Sequence, residues 1–459
     1  MKRCFLIMLT GLCAVESVAS RPLEAIEDGD FYFDGAVDPA KFELGRSLFF
    51  DKILSGNKNI ACSTCHHPSQ GTSDGLALPL GEGARGFGPE RQVGAEQPVL
   101  GRVPRNSQAL YMLGAREFDS LYHDGRVEPD PQHTWPSGFW SPARKQLPAG
   151  LDNALAAQAM FPVASPVEMA GHKGENPMAT AVANDLLGGP EGVWALLARR
   201  LQAIPDYVAL FRAAYPDIEH AQDITFVHAA NAIAAFEASA FRADESPFDL
   251  YLRTNDKRSM NLRARRGMDI VYGHGGCSTC HSGKFLTDQQ FHAIAMPQIG
   301  PGKDDGWDQS YWQASGFALR VEDQGRYDTT QDGRDRYKFR TPTLRNVALT
   351  GPWGHDGAYD TLEAIVRHQL DPVAGMNSYD TSQAALPSRP DLDAIDFECY
   401  NNPARRGAVA DACELEPHAL TEKQVKELID FLHALTDPAS IDLRDEIPAS
   451  VPSGLPMYD

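Results

Sequence analysis

Apolar residues recur at helical spacing in several stretches of the chain. Pro39 to Phe50 carries Phe42, Leu44, Leu48, Phe49 and Phe50 on one face, and Ser259 to Val271 repeats the pattern. Glu191 to Tyr215, interrupted at Pro205, and Thr225 to Phe241 read as further helices. The last, Thr421 to Leu435, opens on Thr421-Glu422-Lys423-Gln424 and places Val425, Leu428, Ile429, Leu432 and Leu435 on one stripe. Pro438 lies just beyond its end. No long alternation of apolar and polar residues marks a strand, so the pattern predicts a mainly α protein. Arg126 to Gly150, rich in Pro, Trp and Ser, predicts a loop insertion. The segment Pro448 to Asp459 predicts a tail wrapped on the surface.

The chain has 459 residues, more than one compact domain usually needs. Its 62 acidic against 42 basic residues give a formal charge of −20. That excess argues against nucleic acid as a partner, which needs a basic face, and against docking on anionic lipid. It is compatible with a small basic protein partner. The N-terminus reads Met1-Lys2-Arg3, an apolar run from Cys4 to Val15, then small residues at Val18, Ala19 and Ser20. This is the pattern of a secretory signal peptide over residues 1–20, too short to span a bilayer of about 30 Å. The mature chain is expected to be exported, with no membrane segment.

Of the eight cysteines, six lie beyond that segment. Cys62-Ser63-Thr64-Cys65-His66 recurs letter for letter as Cys277-Ser278-Thr279-Cys280-His281. Two cysteines three apart with histidine next is the attachment pattern of c-type haem. Both thiols add to the vinyl groups of one porphyrin, and the adjacent histidine ligates its iron. A zinc ribbon would place its paired motifs closer together, and a redox dithiol would not need the histidine. The motifs therefore predict two covalent haems held by Cys62, Cys65 and His66 and by Cys277, Cys280 and His281. Cys399 and Cys413 flank a loop-like stretch; in an oxidising compartment a disulfide is the natural reading, with two free thiols the alternative.

Two copies of one motif imply a duplicated helical haem domain. The expected architecture is mainly α, two cytochrome c-like haem domains with long loops, over residues 21–245 and 246–459. Around the motifs, Leu44-Gly45-Arg46-Ser47-Leu48-Phe49-Phe50-Asp51, Arg105-Asn106, His123-Asp124-Gly125-Arg126 and Phe161-Pro162-Val163 with Glu168-Met169 form a familiar series. In the second half it continues with Phe339-Arg340-Thr341-Pro342-Thr343-Leu344-Arg345-Asn346, Thr350-Gly351-Pro352 and His355-Asp356-Gly357. In order and spacing this resembles the bacterial di-haem cytochrome c peroxidases and their MauG-type relatives.

The resemblance implies roles for single residues. His66 is then the proximal ligand of an N-terminal haem where peroxide reacts, and His281 that of a C-terminal haem that relays electrons. Glu168 falls at the family's distal acid–base position and Gln158 at the glutamine beside it. Asn106, Thr350 and Pro352 match the residues that bind a calcium ion between the haems. The departures matter equally. Where peroxidase members carry a histidine that caps the N-terminal iron, this chain has Glu82, expected in the loop rather than on the metal. The N-terminal iron is then open at rest. His67, adjacent to His66, is expected at the surface. For the sixth ligand of the C-terminal haem His368 is favoured, then Met376, then no protein ligand. The electron-relay tryptophan of the family aligns with His123, with Trp135, Trp140 and Trp353 as substitutes.

The primary expectation is a periplasmic peroxidase that reduces hydrogen peroxide with electrons from a small cytochrome or similar donor. The alternatives are a MauG-like enzyme oxidising side chains of a partner protein, and a di-haem electron carrier without chemistry of its own. A homodimer is a further candidate assembly.

Overall fold

A computed structural model describes residues 23–93, 99, 101–300 and 322–458. The signal-peptide expectation for residues 1–20 falls outside the described residues. The described chain is mainly helical, with three two-residue antiparallel strand pairs. No helix among the described residues is long and apolar enough to cross a membrane.

The helices start and stop where local chemistry dictates. Asp38 caps the Pro39–Phe50 helix by accepting from the backbone N–H groups of Ala40 and Lys41. Pro205 does not bend a long helix but begins a new one: Val193–Gln202 ends, and Pro205–Ala214 starts with proline where its missing N–H is harmless. The helix expected from Ser259 starts three residues late, at Leu262–Val271, because Asn261 accepts from Arg263 and Ala264 and fixes the start there. Thr421 and Gln424 form a reciprocal cap on Glu422–His433. The Arg126–Gly150 stretch is loop, apart from Glu128–Pro129 paired with Phe139–Trp140 and a turn at Arg144–Gln146.

The two largest apolar clusters fall in different parts of the chain. One gathers residues from Ile26 to Ala243 together with Phe285 and Val451; the other runs from Phe248 to Leu435. Each contains a helix pair locked by one glycine. A Cβ on Gly45 of Pro39–Phe50 would stand 1.9 Å from the Ala232 carbonyl oxygen and 2.9 Å from Phe236 Cβ, on Phe226–Ala240. A Cβ on Gly267 of Leu262–Val271 would stand 2.0 Å from the Glu427 carbonyl oxygen and 2.7 Å from Phe431 Cβ, on Glu422–His433. In both places the helix before a haem motif lies directly against a later helix, and only glycine permits the approach.

Buried ion pairs tie the two parts together. Arg105 binds Asp323 through two hydrogen bonds of 2.6 and 2.7 Å and Asp124 at 2.6 Å. Arg102, fully buried, binds Asp396 at 2.8 Å and Asp393 at 3.0 Å. The tail returns to the first part, where Ser453 donates to Asp51 at 2.6 Å. Cys399 and Cys413 stand as free thiols, Cys399 buried, so the expected disulfide is not formed. Hydrogen bonds hold that segment instead: the Glu414 N–H donates to the Ala293 carbonyl and the Ala293 N–H to the Glu414 carboxylate.

Candidate haem cavity

The residues of the first motif open onto a cleft lined by Cys62, Cys65, His66, Tyr122, Gln158 and Glu168 among others. Cys62–Cys65 forms one helical turn, and the His66 N–H donates to the Cys62 carbonyl at 3.0 Å. His66 Nδ1 lies 3.2 Å from the Thr72 carbonyl and 3.3 Å from Ser107 Oγ, which itself donates to the Cys65 carbonyl. With Nδ1 donating, Nε2 carries the lone pair a metal needs. Burial lowers the His66 pKa to about 4, so the ring is neutral at pH 7. Burial pushes the Cys62 thiol up to about 12.

The second motif repeats this arrangement. The His281 N–H donates to the Cys277 carbonyl at 2.8 Å, and His281 Nδ1 lies 3.1 Å from the Leu286 carbonyl. In both motifs the thiols are unpaired and the histidine is pinned through one nitrogen, which fits a covalently held haem. Cys280, Asp288 and His292 bring their ligating atoms within 4.8 Å of one another. Cys280 belongs to the second attachment motif, so this cluster overlaps the expected haem site.

Glu168 sits on a single π turn, Pro166–Ala170, half-buried at the cavity wall. Such turns recur at functional sites because they push one side chain out of the helical register. Among the described residues its carboxylate forms no hydrogen bond or ion pair. The turn is backed by the loop that follows the first motif. A Cβ on Gly81 would stand 2.0 Å from the Val167 carbonyl oxygen and 3.0 Å from Glu168 Cα, and the Glu82 N–H donates to that same oxygen at 3.0 Å. Arg91, buried, fixes the loop by donating to the carbonyls of Leu80, Gly81 and Gly86. Glu82 is buried; its Oε1 accepts from Asn57 at 2.7 Å and Asn59 at 2.9 Å, and burial raises its pKa. It is not among the residues lining the cavity.

Gln158 lies on Ala154–Ala159, a short helix capped by Asn153, and lines the cavity. Tyr122 lines the same cavity and is a residue that no sequence pattern singled out. Glu237 was missed as well. It lines the cavity from Phe226–Ala240, is 6% exposed, and its Oε2 has no hydrogen-bond partner. Burial raises its pKa to about 8.

His123 lines the cavity, with Nε2 3.3 Å from the Asn106 carbonyl. Its own carbonyl accepts from the Arg340 N–H at 2.8 Å, in the strand paired with Phe291–His292. Burial, reinforced by Arg105, lowers its pKa to about 3. Trp135, Trp140 and Trp353 are not among the lining residues. Asn106 directs its amide nitrogen at the Leu76 carbonyl, 2.8 Å away, which leaves its amide oxygen available to a cation. Thr350 donates its hydroxyl to Val347, and Pro352 follows a cis peptide bond.

Two expectations require correction. His368 is buried with both ring nitrogens engaged: Nδ1 lies 2.8 Å from the Tyr359 hydroxyl and Nε2 2.8 Å from the Ile294 carbonyl. One nitrogen must donate to the carbonyl and the other accept from the phenol, so no lone pair is left for iron. Met376 is buried in an apolar cluster with Ala293 and Ala295. His67 is also buried, at 5% exposure, because its ring packs 4.3 Å from Phe87 while Nδ1 is 2.8 Å from Ser69 Oγ.

Residues 39–257 match the family model described as di-haem cytochrome c peroxidase. The chain is 27% identical over 406 residues to methylamine utilization protein MauG of Methylorubrum extorquens, across 88% of this chain and 81% of that protein. It is 28% identical over 324 residues to cytochrome c551 peroxidase of Pseudomonas aeruginosa, across 71% and 70% respectively. A solved MauG-like protein associated with microbial copper homeostasis aligns with a TM-score of 0.55 at 24% identity, over 94% of this chain and 97% of that one. The diheme peroxidase BthA of Burkholderia thailandensis gives 0.55 at 20% identity, over 88% of each. At such identities the structural likeness speaks for the fold, while the curated relatives and the family model carry the lineage. Together with the paired attachment motifs, they align this chain with the di-haem cytochrome c peroxidases and MauG-type proteins and mark it as a peroxidase-type oxidoreductase.

Proposed function

We propose that the protein is an exported peroxidase that reduces hydrogen peroxide in the cavity of the first motif, drawing electrons from a small cytochrome or similar donor through the second. Cys62, Cys65 and His66 would hold one haem, and Cys277, Cys280 and His281 the other. When bound, haem iron supplies the one-electron redox chemistry that peroxide reduction needs. The balance is one H₂O₂, two electrons and two protons to two waters. Glu168 takes the proton from the inner peroxide oxygen and returns one to the outer, leaving oxygen. Gln158 orients the peroxide by hydrogen bonding. His123, between the cavity and the Arg340 strand, is the candidate relay. The observation that carries this reading is an unpaired carboxylate, Glu168, on the wall of the same cavity as a neutral, oriented His66. Glu168→Gln is expected to lower turnover by roughly 10²–10⁴-fold with both haems still attached. Turnover at the parent rate would remove Glu168 from the mechanism.

A calcium ion held by Asn106 and by backbone oxygens of Thr350 and Pro352 would be chemically reasonable, since calcium takes neutral oxygen ligands. The repeated glycine crossings at Gly45 and Gly267 support two haem domains of one duplicated plan, over residues 21–245 and 246–459. With His368 committed elsewhere, Met376 is the remaining protein candidate for a sixth ligand of the second haem.

One observation favours a MauG-like reading, in which the oxidising equivalents go to side chains of a partner protein. Glu82, at the capping position, is bonded to Asn57 and Asn59 behind the Glu168 turn. An iron left open at rest suits an enzyme that needs no prior reduction. Turnover with a reduced small cytochrome distinguishes the two.

A further inference from the structure

Tyr122 is held in the cavity more firmly than a packing residue requires. It has φ +69°, in the left-handed region where a bulky side chain is strained. Its carbonyl accepts from the Gly125 N–H at 3.3 Å and from Arg340 Nε at 3.4 Å, which fixes that conformation from both parts of the chain. The guanidinium of Arg126 lies 4.0 Å over its ring, and Arg126 is itself anchored to Asp124 at 3.4 Å. The ring and backbone of Tyr122 are thus constrained independently, in the cavity that Gln158 and Glu168 also line. Burial is the main reason its ionisation lies far above the usual phenol range, with Glu168 adding to the shift, so the group stays a neutral donor. Packing alone needs neither the strained φ nor the hydroxyl.

We propose that Tyr122 is a third polar residue of the peroxide pocket, whose hydroxyl, in the cavity that Gln158 and Glu168 line, donates a hydrogen bond to a small oxygen or halide ligand held there. This rests on the assignment of the first cavity as the peroxide site. A fixed neutral donor favours ligands that carry negative charge on the atom it meets, as a deprotonated peroxide does.

The test is fluoride binding to the oxidised holoenzyme, read from the haem absorption spectrum without any turnover. Tyr122→Phe removes only the hydroxyl and keeps the ring beneath Arg126. Fluoride affinity is expected to fall about 10-fold or more, the range for a hydrogen bond to a charged group, with two haems per chain retained. Affinity within 2-fold of the parent would overturn the proposal. Should that variant fail to retain both haems, Gln158→Leu gives a second reading, since Tyr122 then remains as a neutral donor. The iron–fluoride stretching band should still shift on transfer to D₂O, and its absence would equally overturn the proposal. Because binding rather than turnover is read, failure here is distinct from retained activity in Glu168→Gln, which would sink the peroxidase mechanism itself.

Discussion

Gly81→Ala probes the positioning of Glu168 without touching the carboxylate. The new methyl would stand 2.0 Å from the Val167 carbonyl oxygen, whereas ordinary contact begins at 3.4 Å. The two segments must therefore separate by about 1.4 Å, and the 3.0 Å hydrogen bond from Glu82 to the same oxygen is lost or stretched. Arg91 holds the carbonyls on the Gly81 side, so the Val167–Glu168 backbone is the part that moves. Overpacking of this kind costs about 1–3 kcal/mol, offset by about 0.4–1 kcal/mol from the stiffer unfolded chain. The catalytic effect is larger, because misplacing a reacting group by about 1 Å costs about 100-fold in rate. The assay is steady-state peroxide reduction with a reduced cytochrome donor, alongside haem content and thermal unfolding. Gly407→Ala is the control, since nothing lies within 4 Å of a Cβ there. A roughly 100-fold loss in Gly81→Ala with two haems retained supports the account. Parent turnover in a folded, haem-loaded variant would show that the Glu168 turn does not govern the reaction.

Other consequences follow from buried groups. Glu237 keeps its proton in the folded protein up to about pH 8, while the unfolded chain releases it near its ordinary value. Between those two pH values folded stability therefore falls as pH rises, by up to about 1.4 kcal/mol per unit. Glu237→Leu removes this loss, so its stability relative to the parent, measured by denaturant unfolding, should rise from pH 5 to pH 8; a constant difference refutes the linkage. Arg105→Met strips the buried Asp323 of its arginine partner, with an expected cost of about 3–5 kcal/mol in the same measurement. Alkylation of the denatured, unreduced protein should label Cys399 and Cys413 together; no labelling would show that they pair.

Much of the helical frame was legible because caps and apolar stripes are local. Thr421 with Gln424, Pro205 and the stripe before each haem motif are visible within a few residues of sequence. The two attachment motifs were legible because covalent haem attachment demands a fixed spacing. What escaped depends on partners distant in sequence. The demand for glycine at Gly45 and Gly267 arises from carbonyls on helices roughly 160 to 190 residues away. His368 reads as a metal ligand until Tyr359 and Ile294 are seen to occupy both ring nitrogens. Glu237 and His67 look like surface residues from polarity alone, and the π turn under Glu168 leaves no periodic trace. Tyr122 lies beside a recognisable motif, yet its significance comes from Arg126 and Arg340 meeting it in space. Glu237 follows Phe236 at one glycine crossing where Leu432 follows Phe431 at the other. Packing at the second crossing is thus met by a leucine, whereas the carboxyl at the first lines the cavity proposed for peroxide.

The central claim is that the first haem site is ready for peroxide without prior reduction. It is tested most directly by the electron paramagnetic resonance spectrum of the oxidised holoenzyme before and after one equivalent of hydrogen peroxide. The account predicts a high-spin ferric signal at rest that one equivalent of peroxide consumes. Two low-spin signals that peroxide leaves unchanged would contradict it.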